Sequence, residues 1–208
     1  MIILYVLLLI VILAAVFWQY VRVFFSRVLT LLKIEKLCRE NEIAFKLINN
    51  SYAFAKNNSD SFDFLLRVGD TVIPVKFYSA LSKKSVLTID RSGKACISEA
   101  YRKPLSRSNK KEASIVKKYT RLPNMKIKKN MISKKYTCFP IFLNEPEFHS
   151  VRVLVEGGKP RDIRDESSLV GGCNWFDRDT FTSLLMLYAE KERERRAAEN
   201  RGDKTENA

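Results

Sequence analysis

The sequence predicts an α+β fold: an N-terminal transmembrane helix, then a mainly antiparallel β-meander domain with flanking helices. Three observations lead there. Met1 to Trp18 carries no charged residue. The apolar spacing changes from three and four residues before Ile48 to two after Ser61. Near the C-terminus, Phe181, Leu184, Leu185 and Tyr188 return to helical spacing.

The first run reads MIILYVLLLIVILAAVFW. As a helix it extends about 27 Å, near the hydrocarbon thickness of a bilayer. Gln19, Tyr20 and Arg22 end it, and Trp18 and Tyr20 fall where an aromatic belt meets headgroups. A cleaved signal peptide would want a charged start and a small-x-small site. Here Ile2 follows Met1, and Leu13 stands two residues before Ala15. An uncleaved anchor over residues 1–20 is therefore expected. The flank after it holds Arg22, Arg27, Lys33, Lys36 and Arg39 against Glu35. The positive-inside bias then places the N-terminus outside and the domain in the cytoplasm, as a single-pass protein of the cell membrane. Cys38, Cys96, Cys138 and Cys173 are far apart and form no CxxC, as expected of ordinary thiols in a reducing compartment.

Of the 208 residues, those after the anchor suffice for one domain with a core of its own. The net charge of +14 is localised. Residues 82–135 hold 17 Lys+Arg and 3 Asp+Glu, so the rest of the chain is electrically balanced. Such a block selects anionic partners: acidic lipid, nucleic acid or an acidic protein.

Residues 21–48 lack Gly and Pro and repeat Val21, Phe24, Phe25, Val28, Leu29 and Leu32 at helical steps. They are expected to form a juxtamembrane amphipathic helix whose first part lies in the interface, Phe and Leu toward lipid and Arg toward headgroups. Past Lys33 the helix is expected to pack on the domain, and Asn49-Asn50-Ser51 to stop it. The domain itself occupies residues 49–188. Gly69-Asp70 reads as a two-residue hairpin turn with glycine first. It opposes Phe64 to Val75, Leu66 to Ile73 and Phe62 to Phe77 on one face, and Asp63 to Lys76 on the other. Pro74 cannot donate a ladder bond. Ser85–Asp90 and Ala95–Arg102 are expected to extend the meander around the turn Arg91–Lys94. Lys110–Tyr119 reads as a short helix and Leu122–Lys135 as a mobile basic loop. Tyr136–Leu143 suits a strand covered on both faces, dented by Pro140. Val151, Val153 and Val155 alternate as a strand, and Arg161–Glu166 is read as a charged loop. Asp177 or Asp179 can cap a last helix starting near Thr180. Residues 189–208 are expected to form a charged flexible tail.

Known chemical motifs are scarce. His149 stands alone, without HExxH or Cys/His spacing, so no zinc site is expected. Neither GxxxxGK[ST], GxGxxG nor GxSxG occurs. Gly157-Gly158-Lys159 is read as a turn. No catalytic residue, metal ligand or cofactor is expected.

Two resemblances complete the reading. Glu40 or Glu42 on a helix, then Asp63, then Pro74-Val75-Lys76 on a hairpin, resembles the start of the PD-(D/E)xK nuclease core. There two carboxylates hold a divalent ion and the lysine assists water. Proline replaces the second acid here, which implies an inactive relative, while a simple cross-strand ion pair of Asp63 and Lys76 is the plainer account. The stretches SVLTIDRSGKACISEAYRK and YTCFPIFLNEPEFHSVRVLVEGG, with FTSLL, resemble a group of uncharacterised membrane-anchored proteins of low-GC Gram-positive bacteria, over about residues 20–188. That resemblance implies architecture and location, and no mechanism.

The function expected is a membrane-tethered, basic, cytoplasmic interaction module without catalytic activity. The lipid bilayer is its first partner. Residues 82–135 would meet anionic lipid, an acidic protein or nucleic acid, with Lys126, Lys128, Lys129, Lys134 and Lys135 as the anion-binding residues. Tyr101, Tyr119 and Tyr136 interleave with these charges and could stack bases, so a nucleic-acid-binding domain is the alternative, beside the nuclease-like one.

Overall fold

The computed structural model describes residues 2–54, 56–57, 61–89, 94–99, 118–121, 136–154, 160–162, 169–170 and 173–206. They form an α+β fold of three layers: two helices, a seven-stranded sheet and a five-stranded sheet.

Helix α1 runs from Ile2 to Glu40 and bends by 63° between Ile3–Leu13 and Phe17–Glu40. No single described helix is long and apolar enough to cross a membrane; the two arms of α1 meet that measure of length and composition only together. In the first arm Ile3 to Leu7 and Ile10 to Leu13 are exposed. In the second, Val23, Arg27, Thr30, Leu31, Ile34 and Cys38 are buried, a face at three- and four-residue steps. Arg27 thus turns into the protein and away from the headgroup side expected for it.

The helix ends earlier than its apolar spacing suggests. Glu42 takes a left-handed conformation, φ 57°. The Ile43 amide then donates back to Cys38 O at 2.9 Å, the long-range bond of a Schellman motif, and Ile43 and Cys38 join the same core. Asn41 Nδ2 caps Leu37 O at 2.9 Å. Freed from the helix, Ala44–Leu47 becomes strand β1, so the expected helix over residues 41–48 is corrected. A left-handed non-glycine residue costs about 1–2 kcal/mol. Glu42→Gly should therefore raise stability by about 1 kcal/mol, seen as a higher urea midpoint at unchanged slope. The exposed contact it gives up, Glu42 to Arg196 at 4.0 Å, is worth little.

Strands β2 (Phe64–Val68) and β3 (Thr71–Tyr78) form the expected hairpin, with Phe64 opposite Val75 and Leu66 opposite Ile73. Gly69 has φ 54°, so glycine is needed for conformation; a Cβ there would lie 2.6 Å from the Glu192 carboxylate, the movable end of a flexible side chain. β1 adds to β2 on the outside.

From here the sheets are mixed: most described strand pairs are antiparallel, as expected, but four are parallel, which corrects the simple meander. β7 (Thr137–Cys138) and β8 (Ile141–Asn144) both lie parallel to β3, with Phe139-Pro140 between them. β12 (Cys173–Asp177) lies parallel to β8, and β11 (Leu169–Val170) antiparallel to β12. β4 (Ser85–Ile89) does not extend the first sheet. It starts a second one with β5 (Lys94–Glu99), β6 (Lys118–Arg121), β9 (Ser150–Leu154) and β10 (Pro160–Asp162), in the order β10-β9-β4-β5-β6. β4 and β9 are parallel, and the other pairs are antiparallel. Parallel neighbours need long connections, which the local spacing of a single strand does not reveal. β6 replaces the end of the helix expected over Lys110–Tyr119, and β10 the start of the loop expected from Arg161. The remainder of both segments, and Leu122–Lys135, lie outside the described residues.

Helix α2 spans Arg178–Glu206. Asp177 caps it, accepting the Thr180 amide at 2.7 Å and the Thr180 hydroxyl at 2.9 Å. Phe181, Leu185 and Ala189 face the core. The mixed charges after Tyr188 stay helical through Glu206, aided by residues of high helix propensity and by Arg195 and Arg196 on Glu192.

Two apolar clusters hold the layers. Leu31, Ile34, Phe64, Ile73, Val75, Phe77, Leu143 and Phe181 pack between helices and first sheet. Phe62, Tyr78, Leu87, Ile89, Phe142, Phe148 and Trp175 pack between the sheets. Alternation along β3 supplies both: Val75 and Phe77 point one way, Tyr78 the other.

Candidate functional site

The most unusual chemistry lies at the end of the β2–β3 hairpin, where charges are buried. Asp63 and Lys76 are both 0 % exposed and Arg27 is 2 % exposed. The local cause is an extra residue. The Asp63 amide donates to Val75 O at 2.9 Å although Phe64 is the residue paired with Val75. Two residues thus face one, as in a β-bulge. The insertion shifts the alternation, so Phe62 packs in the inter-sheet cluster while Phe77 stays under the helices. The expected pairing of Phe62 with Phe77 on one face is corrected accordingly.

The bulge also turns the Asp63 carboxylate inward. Its Oδ2 accepts the Phe77 amide at 2.8 Å, taking the place of a ladder carbonyl, and its Oδ1 accepts Asn49 Nδ2 at 2.9 Å. Asp63 O accepts the amides of Ile48 and Asn49, both at 3.0 Å. Lys76 Nζ donates to Ser61 O at 3.0 Å. Burial raises the Asp63 carboxyl above its usual range; Lys76, the two hydrogen bonds and Arg27 oppose this, Lys76 most strongly. In place of the simple cross-strand ion pair expected from sequence, Asp63 and Lys76 are buried side chains held by hydrogen bonds to other groups.

Arg27 links this hairpin end to α1. Its Nε donates to Ser79 Oγ at 2.7 Å, and its terminal nitrogens to Tyr52 O at 2.8 Å and Asn57 Oδ1 at 3.2 Å. The guanidinium carbon lies 5.7 Å from the centre of the Phe77 ring. Burial lowers its pKa to about 10, so it stays a cation at neutral pH. Asn57 closes a ring with Ser79, donating to its carbonyl and accepting its amide, each at 2.9 Å. The Ser79 hydroxyl donates to Glu145 O, and Ser26 Oγ to Glu145 Oε1. Burial raises the Glu145 carboxyl as well. Residues from α1, the 49–63 segment, β3 and the end of β8 meet in one polar network.

The structure does not bring the acids of the nuclease-like pattern together. Glu40 is exposed and 3.8 Å from Lys36, and Glu42 is exposed beside Arg196, while Asp63 is buried. Among the described residues no three His, Cys, Asp or Glu side chains gather as a metal site. His149 is exposed on the loop before β9. Burial pushes the Cys38 thiol up to about 12. A surface cavity of about 80 Å³ beside Arg67, Gly69, Glu192, Arg193 and Arg196 shares no residue with the Asp63 network. It is well below the size of a cofactor pocket.

Lys126, Lys128, Lys129, Lys134 and Lys135 lie outside the described residues, as does Tyr101. Tyr119 is on β6. Tyr136 is half-buried, its ring 5.6 Å from the Arg67 guanidinium. Sequence reasoning singled out Asp63 and Lys76 but missed Arg27, Asn49, Asn57, Ser79 and Glu145. The signal for Arg27 is its place on the stripe Val23-Arg27-Thr30-Leu31-Ile34, a charge at a helical step inside a buried face. No family model matches the chain, and no curated protein or solved structure was found to be similar to it.

Proposed function

We propose that the protein is a membrane-held, basic interaction module. Its N-terminal arm sits in the cell membrane with the N-terminus outside, and the folded domain faces the cytoplasm. The observation that carries the reading is the double character of α1. Its first arm is uncharged, with its described side chains in the open, while Leu31, Ile34 and Cys38 of its second arm are core residues. Whatever holds the first arm therefore holds the domain. The buried state of Asp63, Lys76 and Arg27, each hydrogen-bonded to neighbouring loop and strand groups, suits a structural role better than substrate chemistry. The localised charge of residues 82–135 supplies the contact to an anionic partner.

Membrane fractionation and a reporter fused after Ala208 test this. The full chain should stay with the membrane at high salt, deletion of residues 1–19 should release it, and the reporter should be active on the cytoplasmic side. A full chain that leaves the membrane in salt, or a reporter active only outside, overturns the reading.

A further inference from the structure

We infer that the folded domain is seated on the bilayer surface, through an apolar edge made by Phe25, Leu29 and Leu32 of α1 and Phe54 of the 3₁₀ turn Tyr52–Phe54. The inference rests on the membrane reading above and adds a second contact to it. These side chains are large and open: Phe25 57 %, Leu29 64 %, Leu32 55 % and Phe54 77 % exposed. At 100° per residue the three helix positions fall within about 60° of arc. They lie opposite the buried face of Leu31, Ile34 and Cys38, so this arm of α1 is apolar on two sides. A helix in water keeps its second side polar.

The same helix says what covers that edge. Trp18, exposed, falls on the same line of the helix, and before it comes the uncharged run. At its other end the line meets Lys36, with Lys33 beside it, both well exposed. Apolar side chains ending in lysines suit acyl chains bordered by phosphates. Phe54 belongs to a different segment, yet its ring lies 4.9 Å from Phe24, which in turn lies edge-on to Phe25 at 5.4 Å. Two separate pieces of chain thus place aromatic rings along one edge. The 63° bend is compatible with this seating. With the second arm along the membrane plane, a bend of this size lets the uncharged first arm leave that plane.

Tryptophan quenching by brominated acyl chains tests the contact. The full chain is reconstituted in phosphatidylcholine–phosphatidylglycerol vesicles. Trp175, 3 % exposed between the sheets, supplies a constant background. Leu32→Trp and Phe54→Trp are made separately with Trp18→Phe; both sites are exposed, and circular dichroism verifies the fold. Each new tryptophan should lose about half its emission when the chains are brominated, as expected for a ring at the acyl boundary. Quenching of Trp18 in the parent chain with none at residues 32 and 54 overturns the seating and leaves the tether standing. Absence of quenching at all three positions overturns both. Unquenched residues 32 and 54 together with a disulfide-linked dimer formed by Leu32→Cys would assign the edge to a second copy of the chain, and the inference fails.

Discussion

Asp63→Ala should cost the fold about 3–5 kcal/mol, the range for removing one partner of a buried charged arrangement. The carboxylate is the acceptor for the Phe77 amide and for Asn49 Nδ2. Alanine leaves both donors buried without it, and leaves Lys76 and Arg27 without their nearby negative charge. Asp63→Asn should cost less, since one oxygen can still accept. Urea denaturation separates the two, and a loss under 1 kcal/mol for alanine would show that the network does not hold the hairpin. The pH dependence has a definite sign. Burial raises the folded carboxyl above its ordinary value of 3.8. The contribution of such a group is fully present below the unfolded pKa and is lost as pH rises through the folded one. Upward from pH 3.8, the wild type should therefore lose stability relative to Asp63→Asn, whose side chain does not titrate. Glu145, also raised by burial, acts in the same direction in both proteins, so their difference isolates Asp63.

What the sequence made legible follows from the range of each signal. The hairpin was readable because Gly69-Asp70 and two alternating runs are local, and they give the observed partners of Phe64 and Leu66. The cap at Asp177 is equally local. The bulge at Asp63 was not readable: an inserted residue leaves the composition of a strand unchanged while moving Phe62 to the other face. The parallel pairings of β8 with β3 and of β9 with β4 join strands more than 60 residues apart, and no pattern within either strand specifies its partner. The helix end at Glu42 was hidden because the usual sign, a glycine in the left-handed position, is missing. For the polar network the difficulty is different. Asn49, Asn57 and Ser79 are ordinary loop residues in sequence, and only the fold brings them to Arg27 and Asp63.

Neutralising Lys126, Lys128, Lys129, Lys134 and Lys135 together to glutamine should weaken binding to anionic vesicles by roughly a few thousandfold, at about 1 kcal/mol per lysine near the surface. The argument is one of placement in sequence. Five cations fall within ten residues that contain no acid, while the chain outside residues 82–135 is balanced. Neighbouring charges of one sign act on the same patch of anions and add. The deletion of residues 1–19 provides the chain for this measurement, because the tether would otherwise hold both proteins to the vesicle. Binding of the parent should fall steeply between low and physiological salt, as the Debye length shortens to about 8 Å. The substituted chain should respond less, having fewer counterions to displace. Its urea midpoint should match that of the parent, since the hydrogen bonds described for the Arg27, Asp63 and Lys76 side chains are made to groups between Asn49 and Ser79. Vesicles and single-stranded nucleic acid, titrated side by side, then identify the anion. Preference for nucleic acid that is lost in Tyr119→Ala would assign the segment to base stacking. Equal vesicle binding by parent and substituted chains would remove the five lysines from the anion site.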